Sequence, residues 1–139
     1  SYQAMFITVI LGKLNLEKKE MEFINMGHEP MMVLDPNFNF EYVKSTLPPM
    51  GLMPVKDESF FKTTTMDISD KTILIYTDGV TEGYVDEGKE LEVAGLESEI
   101  KKLNTTSPET IITHTTKILT EKGYTLRDDI TALGIKIIN

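Results

Sequence analysis

Apolar residues come in short strand-sized runs over the first half of the chain and at helical spacing over much of the second. Met5 to Leu16, MFITVILGKLNL, is almost continuously apolar and rich in β-branched and aromatic side chains, which predicts a strand buried on both faces or in a sandwich core. Glu17 to Glu20 reads as a charged turn. Met21 to Met26 then alternates as a half-buried strand does, and Met31 to Leu34 resumes after the break at Gly27-His28-Glu29-Pro30. These runs predict an antiparallel meander. Lys44 to Glu58 holds Pro48, Pro49 and Pro54, which exclude a helix or a central strand and predict an ordered loop. Ser59 to Met66 and Lys71 to Thr77 read as the arms of a hairpin across Asp67 to Asp70, the second arm ending at Asp78-Gly79.

Two helices follow. Leu96, Ile100 and Leu103 form one apolar stripe on a helix over Leu91 to Leu103. Ser107-Pro108-Glu109 supplies an N-cap oxygen, a proline at the first helical position and an acid in the first turn, and Gly123 is expected at C′ of that second helix. A last strand is predicted over Thr131 to Ile138. Strands, loop, strands, two helices and a strand lack the alternation of a doubly wound sheet, so an antiparallel, layered α+β domain is expected.

The length of 139 residues suits one domain, 1–139. Fourteen basic residues against 22 acidic ones give a net charge of −8. The basic residues are scattered or confined to pairs such as Lys18-Lys19, so nothing favours nucleic acid as a partner. Cysteine is absent, which rules out disulfides, thiolate metal sites and a cysteine nucleophile. No apolar run approaches the roughly 18 residues of a membrane span and no signal peptide is visible, so a soluble, cytoplasmic domain is expected.

An enzyme of this composition must use hydroxyls, histidine, carboxylates or a metal. Two acidic sites stand out by position. Asp78 follows the most regular strand, and Gly79 after it lets backbone come close to a ligand. Asp128-Asp129 stands just ahead of the last strand, where adjacent acids repel unless a cation sits there. Oxygen donors without cysteine or clustered histidine select Mg²⁺ or Mn²⁺ over zinc. Two solvated turns are the alternative. A calcium loop beginning at Asp78 fails at Val80 and Lys89, and nucleophile-elbow, Walker and dinucleotide patterns are absent. His28 reads as a structural turn residue, His114 as the border of a packed helix face, the methionines as core fillers, and the acids from Glu82 to Glu92 as a wet loop.

Leu74-Ile75-Tyr76-Thr77-Asp78-Gly79-Val80-Thr81-Glu82 and Arg127-Asp128-Asp129-Ile130-Thr131 together resemble the C-terminal part of the sporulation-protein-IIE-type phosphatases, relatives of protein phosphatase 2C. Asn25 to Pro30 is similar to that family's Asn-Ala-Gly-His-Pro-Pro turn, Met5 to Thr8 to its Met-Phe-x-Thr strand, and Pro49 to Leu52 to its Pro-Leu-Gly-Leu loop. The resemblance implies two antiparallel sheets packed face to face and flanked by helices, with two Mn²⁺ or Mg²⁺ ions at one end. It implies Asp78 and Asp128 as metal ligands, Asp129 in support, Gly79 permitting the turn, and Thr81 and Glu82 bordering the site. The implied reaction is hydrolysis of phosphoserine or phosphothreonine by a metal-activated water. Implied partners are a small anti-anti-sigma-type phosphoprotein and an upstream sensor domain in the parent chain, in bacterial stress or sporulation signalling.

One departure shapes these expectations. The family's Gly-Asp strand and Asp-x-x-Gly-His-Gly turn have no counterpart between Ser1 and Phe6. The chain is therefore expected to be an incomplete, C-terminal portion of a phosphatase domain, with little activity by itself. An exposed sheet edge and a homodimer or strand exchange are the expected consequences. A non-catalytic interaction domain on the same scaffold is the competing reading.

Overall fold

The computed structural model describes residues 5–126 and 128–138. Nine strands and three α-helices occupy them: β1 (Val9–Asn15), β2 (Glu20–Met26), β3 (Met31–Leu34), β4 (Phe40–Val43), β5 (Thr64–Asp67), β6 (Thr72–Tyr76), α1 (Asp78–Thr81), β7 (Tyr84–Asp86), β8 (Lys89–Glu90), α2 (Glu92–Leu103), α3 (Pro108–Thr120) and β9 (Ala132–Lys136). One sheet has the order β1-β2-β5, a second the order β4-β3-β6-β9, and β7 and β8 form a small hairpin; every pairing is antiparallel.

Three layers result. Between the two sheets lie Met21, Phe23, Met31, Val33, Ile68 and Ile73. On the other face of the four-stranded sheet, Met32, Leu34, Leu74 and Tyr76 meet Val80, Leu91, Leu96, Ile100, Ile111 and Leu119. β3 reads Met-Met-Val-Leu because it is covered on both sides: alternate residues serve alternate cores, and all four are buried. The face-to-face antiparallel sheets and the flanking helices agree with the expected α+β sandwich.

Three local expectations are corrected. The Met5 to Leu16 run is a strand only over Val9–Asn15, and it is an edge strand whose residues from Leu11 onward are exposed. Its apolarity predicts burial, yet no described element covers its outer side. The meander stops after β2, because the turn from Gly27 to Pro30 carries the chain into the second sheet. Ser59 to Met66 does not form a hairpin with Lys71 to Thr77. β5 pairs with β2, whereas β6 pairs with β3 and β9. The turn between them crosses between sheets: Ile68 plugs the inter-sheet core, its N–H donating to the Lys19 carbonyl at 2.9 Å.

The helices stand where their signals predict. Ser107 Oγ accepts from the Thr110 N–H and Pro108 is the first residue of α3. Gly123 has φ +70° but lies two residues past the Glu121 cap, one position later than expected. Of the methionines, Met21, Met26, Met31 and Met32 fill cores, whereas Met5, Met50 and Met53 are exposed. None of the described helices is long and apolar enough to cross a membrane.

Candidate functional site

Two segments 54 residues apart in sequence are fastened together where β6 ends and β9 begins. The Thr77 N–H donates to the Thr131 carbonyl at 3.0 Å. The Thr131 N–H returns a bond to Thr77 Oγ1 at 3.2 Å, and that hydroxyl lies 3.3 Å from the Asp129 carbonyl. The register thus runs on past the last β6–β9 pair, Tyr76 opposite Ala132.

Directly after Thr77 the chain makes the single helical turn α1, with Asp78 as its first residue. Gly79 is buried, and its missing side chain is what lets the loops touch. A Cβ there would lie 2.1 Å from the Asp129 carbonyl oxygen and 3.3 Å from that of Asp128. The turn predicted at Asp78-Gly79 is therefore present, and the second acidic segment is pressed against it. Asp78 is half-buried at the rim, whereas Asp128 and Asp129 are exposed. Asp128 Oδ1 accepts from the Asp129 N–H at 2.8 Å, which folds the carboxylate over its own turn.

Thr81 and Glu82 close α1. The Glu82 N–H donates to the Asp78 carbonyl at 2.8 Å, and Thr81 Oγ1 lies 3.4 Å from the same oxygen. Arg127, which precedes the acidic pair in the sequence pattern, lies outside the described residues.

The donor set at this junction is all oxygen: carboxylates from two loops and the carbonyls beside them. That chemistry suits a hard divalent cation, and Mg²⁺ in particular is held by one or two carboxylates while keeping several waters. The number of donors does not suit two ions. Among the described residues no group of three or more acidic or histidine side chains is gathered for a metal.

Thr77 and Thr131 hold the loops together, and neither was singled out from sequence. Thr77 directly follows β6 and precedes the acid, where a hydroxyl can satisfy rim backbone groups; that is the only signal it offers.

The other candidates have structural roles. In the Asn25 to Pro30 turn, buried Asn25 accepts from the His28 N–H through Oδ1 at 2.9 Å and donates through Nδ2 to the Glu29 carbonyl at 3.2 Å. His28 is a turn residue, as its sequence position suggested. Next to the turn, Ser45 Oγ accepts from the Gly27 N–H at 2.7 Å, tying the end of β2 to the loop after β4. His114 Nε2 pairs with Glu99 Oε2 at 2.9 Å across α2 and α3. The His114 hydrogen bond holds the Glu99 carboxyl below the ordinary range. Burial, with Glu29 and Glu97 nearby, pushes the Tyr76 phenol up to about 12. Tyr42, raised by burial and by its hydrogen bond to Glu97, anchors α2 on β4. The acidic stretch after Glu82 is not a loose loop but the β7–β8 hairpin, whose Asp86 takes Lys122 and Tyr124 as partners.

A family model described as Stage II sporulation protein E (SpoIIE) matches residues 1–138. Protein IcfG of Synechocystis is 38% identical over 80 residues, which are 57% of this chain and 12% of that protein. Among solved structures, the phosphatase domain of SpoIIE from Bacillus subtilis superposes with a TM-score of 0.67 at 17% identity, over 95% of this chain and 56% of that one. The RsbU and RsbW domains of Rv1364c from Mycobacterium tuberculosis give 0.70 at 23% identity, over 91% and 35%. RsbX in complex with magnesium gives 0.60 at 22% identity, over 91% and 54%. The chain thus spans little more than half the length of these structures at most, and about an eighth of IcfG.

Proposed function

From the premise that the chain belongs to the stage II sporulation protein E (SpoIIE) family, whose model covers nearly all of it, we propose that it supplies one side of the catalytic centre of a metal-dependent phosphoprotein phosphatase. Asp78 and Asp128 take a hydrated Mn²⁺ or Mg²⁺ there. Asp129 supports the loop, Gly79 admits it, and Thr81 and Glu82 border it. The observation that carries this reading is the seating of Gly79 against the Asp128-Asp129 backbone, which gives two distant acids one neighbourhood.

A divalent cation bound there supplies charge neutralisation for a phosphoryl group and an activated water. The chain's own residues fix the two loops and exclude side-chain bulk between them. A second ion needs donors beyond these carboxylates, so the 139 residues alone have little phosphatase activity. The substrate class is a phosphoserine or phosphothreonine protein, of the anti-anti-sigma type in signalling under an attached sensor domain. The likeness to RsbU and to the SiaA phosphatase domain of Pseudomonas aeruginosa supports a regulatory setting.

The test is a Mn²⁺ titration followed through backbone amides. Paramagnetic broadening should appear together at Gly79 and Asp129, and Asp128→Asn should remove it from both. Broadening at neither loop, or at one alone, overturns the assignment. Robust metal-dependent release of phosphate from a phosphoserine protein by this chain alone would contradict the half-centre reading.

A further inference from the structure

The turn that carries the chain from β2 into β3 stands at the same end of the four-stranded sheet as the acidic loops. Met32 on β3 pairs with Leu74 on β6. His28 lies four residues ahead of Met32 and Asp78 four residues past Leu74, so antiparallel pairing brings both to the rim on neighbouring strands. Asp78 is thus flanked by the 128–131 segment on the β9 side and by the 27–30 turn on the β3 side. Electrostatics agree. Burial and, after it, the charge of Glu29 push up the phenol of Tyr76, two residues before Asp78.

This turn is held more firmly than a connection between sheets requires. Both ends of the buried Asn25 amide bind it, through the His28 N–H and the Glu29 carbonyl. The Asn25 carbonyl accepts from the Thr46 and Leu47 N–H groups, and Ser45 Oγ accepts from the Gly27 N–H. Gly27 has φ +70°, and a Cβ there would fall 2.3 Å from Pro49 Cγ, so the turn is pressed against the loop after β4. None of these bonds uses the His28 ring. Its Nδ1 lies 3.3 Å from the Glu29 carbonyl oxygen, and Nε2 has no partner among the described residues.

The charge at this rim calls for a base. Carried across the strands, the register brings Lys44, Glu29, His28, Asp78, Asp128 and Asp129 to it. Four of these are acids, and a phosphate monoester adds about two further negative charges. Of the two bases, Lys44 stands one strand further out, after β4. We propose that His28 receives the phosphoryl group of the substrate on this side of Asp78. In the protonated ring both nitrogens donate, Nδ1–H to the Glu29 carbonyl and Nε2–H to a phosphate oxygen. Asn25 and Ser45 are then positioning residues that act through the backbone of the turn. The inference rests on the cation reading of Asp78 and Asp128, and it adds the residue that orients the phosphate against that cation.

The chain has two histidines, and His114, bound to Glu99 in the helix layer, is the internal reference. Amide shifts of Gly79 and Asp129 first report Mg²⁺ uptake, which tests the cation reading by itself. O-phosphoserine is then titrated at saturating Mg²⁺, with the ring C–H signals of both histidines followed by NMR near the ordinary histidine pKa of about 6.5. His28 signals should move to saturation while those of His114 stay. His28→Ala should weaken phosphoserine binding about tenfold. It should leave Mg²⁺ affinity within about twofold, because backbone and Asn25 build the turn and the ring does not. Lys44→Ala should cost less than about twofold. Mg²⁺ uptake with His28 signals unmoved, or a His28→Ala chain that binds phosphoserine as tightly as the parent, overturns the proposal and leaves the cation reading standing. Equal losses of phosphoserine and Mg²⁺ affinity would mark a merely structural turn and overturn it too, as would a larger loss at Lys44 than at His28. Absence of Mg²⁺ uptake overturns both readings.

Discussion

Replacing Gly79 by alanine tests the junction between the two acidic loops most directly. The added Cβ falls 2.1 Å from the Asp129 carbonyl oxygen and 2.9 Å from its carbon, and ordinary contact begins at 3.4 Å. Backbone, not a flexible side-chain end, must therefore retreat by about 1.3 Å. Overpacking of that kind costs about 1–3 kcal/mol. Retreat of the 128–131 segment also stretches the two bonds between Thr77 and Thr131, each contributing about 1 kcal/mol. We expect a loss of about 3 kcal/mol, or a fall of about 10 °C in Tm for a chain of this length. Amide shifts should move at residues 77–80 and 128–131, and Mn²⁺ broadening should disappear from both loops. Gly95→Ala is the internal contrast. It lies inside α2, its Cβ meets only the end of the Leu91 side chain at 3.2 Å, and helix propensity favours alanine by up to about 1 kcal/mol. Should Gly79→Ala melt within about 2 °C of the parent while the amides of residues 128–131 stay in place, the reasoning about this contact is wrong.

Tyr42→Phe should cost about 1–1.5 kcal/mol in urea unfolding, because it leaves the half-buried Glu97 carboxylate without its phenol donor; no change would show that α2 does not depend on this bond. The depressed Glu99 carboxyl stabilises the fold fully above its ordinary value of 4.5, and that contribution is lost as pH falls below 4.5 through the lower folded-state value. Glu99→Gln should therefore destabilise by about 0.5–1 kcal/mol at pH 6 and by less near pH 3, read from urea midpoints at each pH.

The order of elements was legible in the sequence because the apolar runs of β3 and β6 mark strands and the α3 signal Ser107-Pro108 is local chemistry, whereas the two packed sheets were implied by the family resemblance and the double coverage of β3 was not read from its run. Pairing was less legible. Thr64–Asp67 and Thr72–Tyr76 look like hairpin arms, and what assigns them to different sheets is Ile68, one apolar residue in a polar turn. β1 misled for the complementary reason: apolar composition states what a strand can bury, not whether anything arrives to bury it. At the candidate site both acidic turns could be found from position alone. Their proximity was implied by the family resemblance and not by position or spacing, since it rests on a missing Cβ and on two threonine bonds that no spacing rule encodes.

The bonds joining Thr77 to Thr131 also set an order of events during folding. The β1–β2 hairpin closes over a turn whose paired ends are close in sequence, but the acidic junction joins residues 54 apart across α1, the β7–β8 hairpin, α2 and α3. Closure of so long a segment becomes inexpensive only after the two long helices have settled on the four-stranded sheet and shortened the distance between its ends. The acids thus come together late, when β9 zips onto β6 from a chain already condensed. A polypeptide emerging from the ribosome carries no such junction until the segment through Thr131 is free to fold back, so any cation bound there acts as a seal on an assembled sheet and not as a nucleus for one.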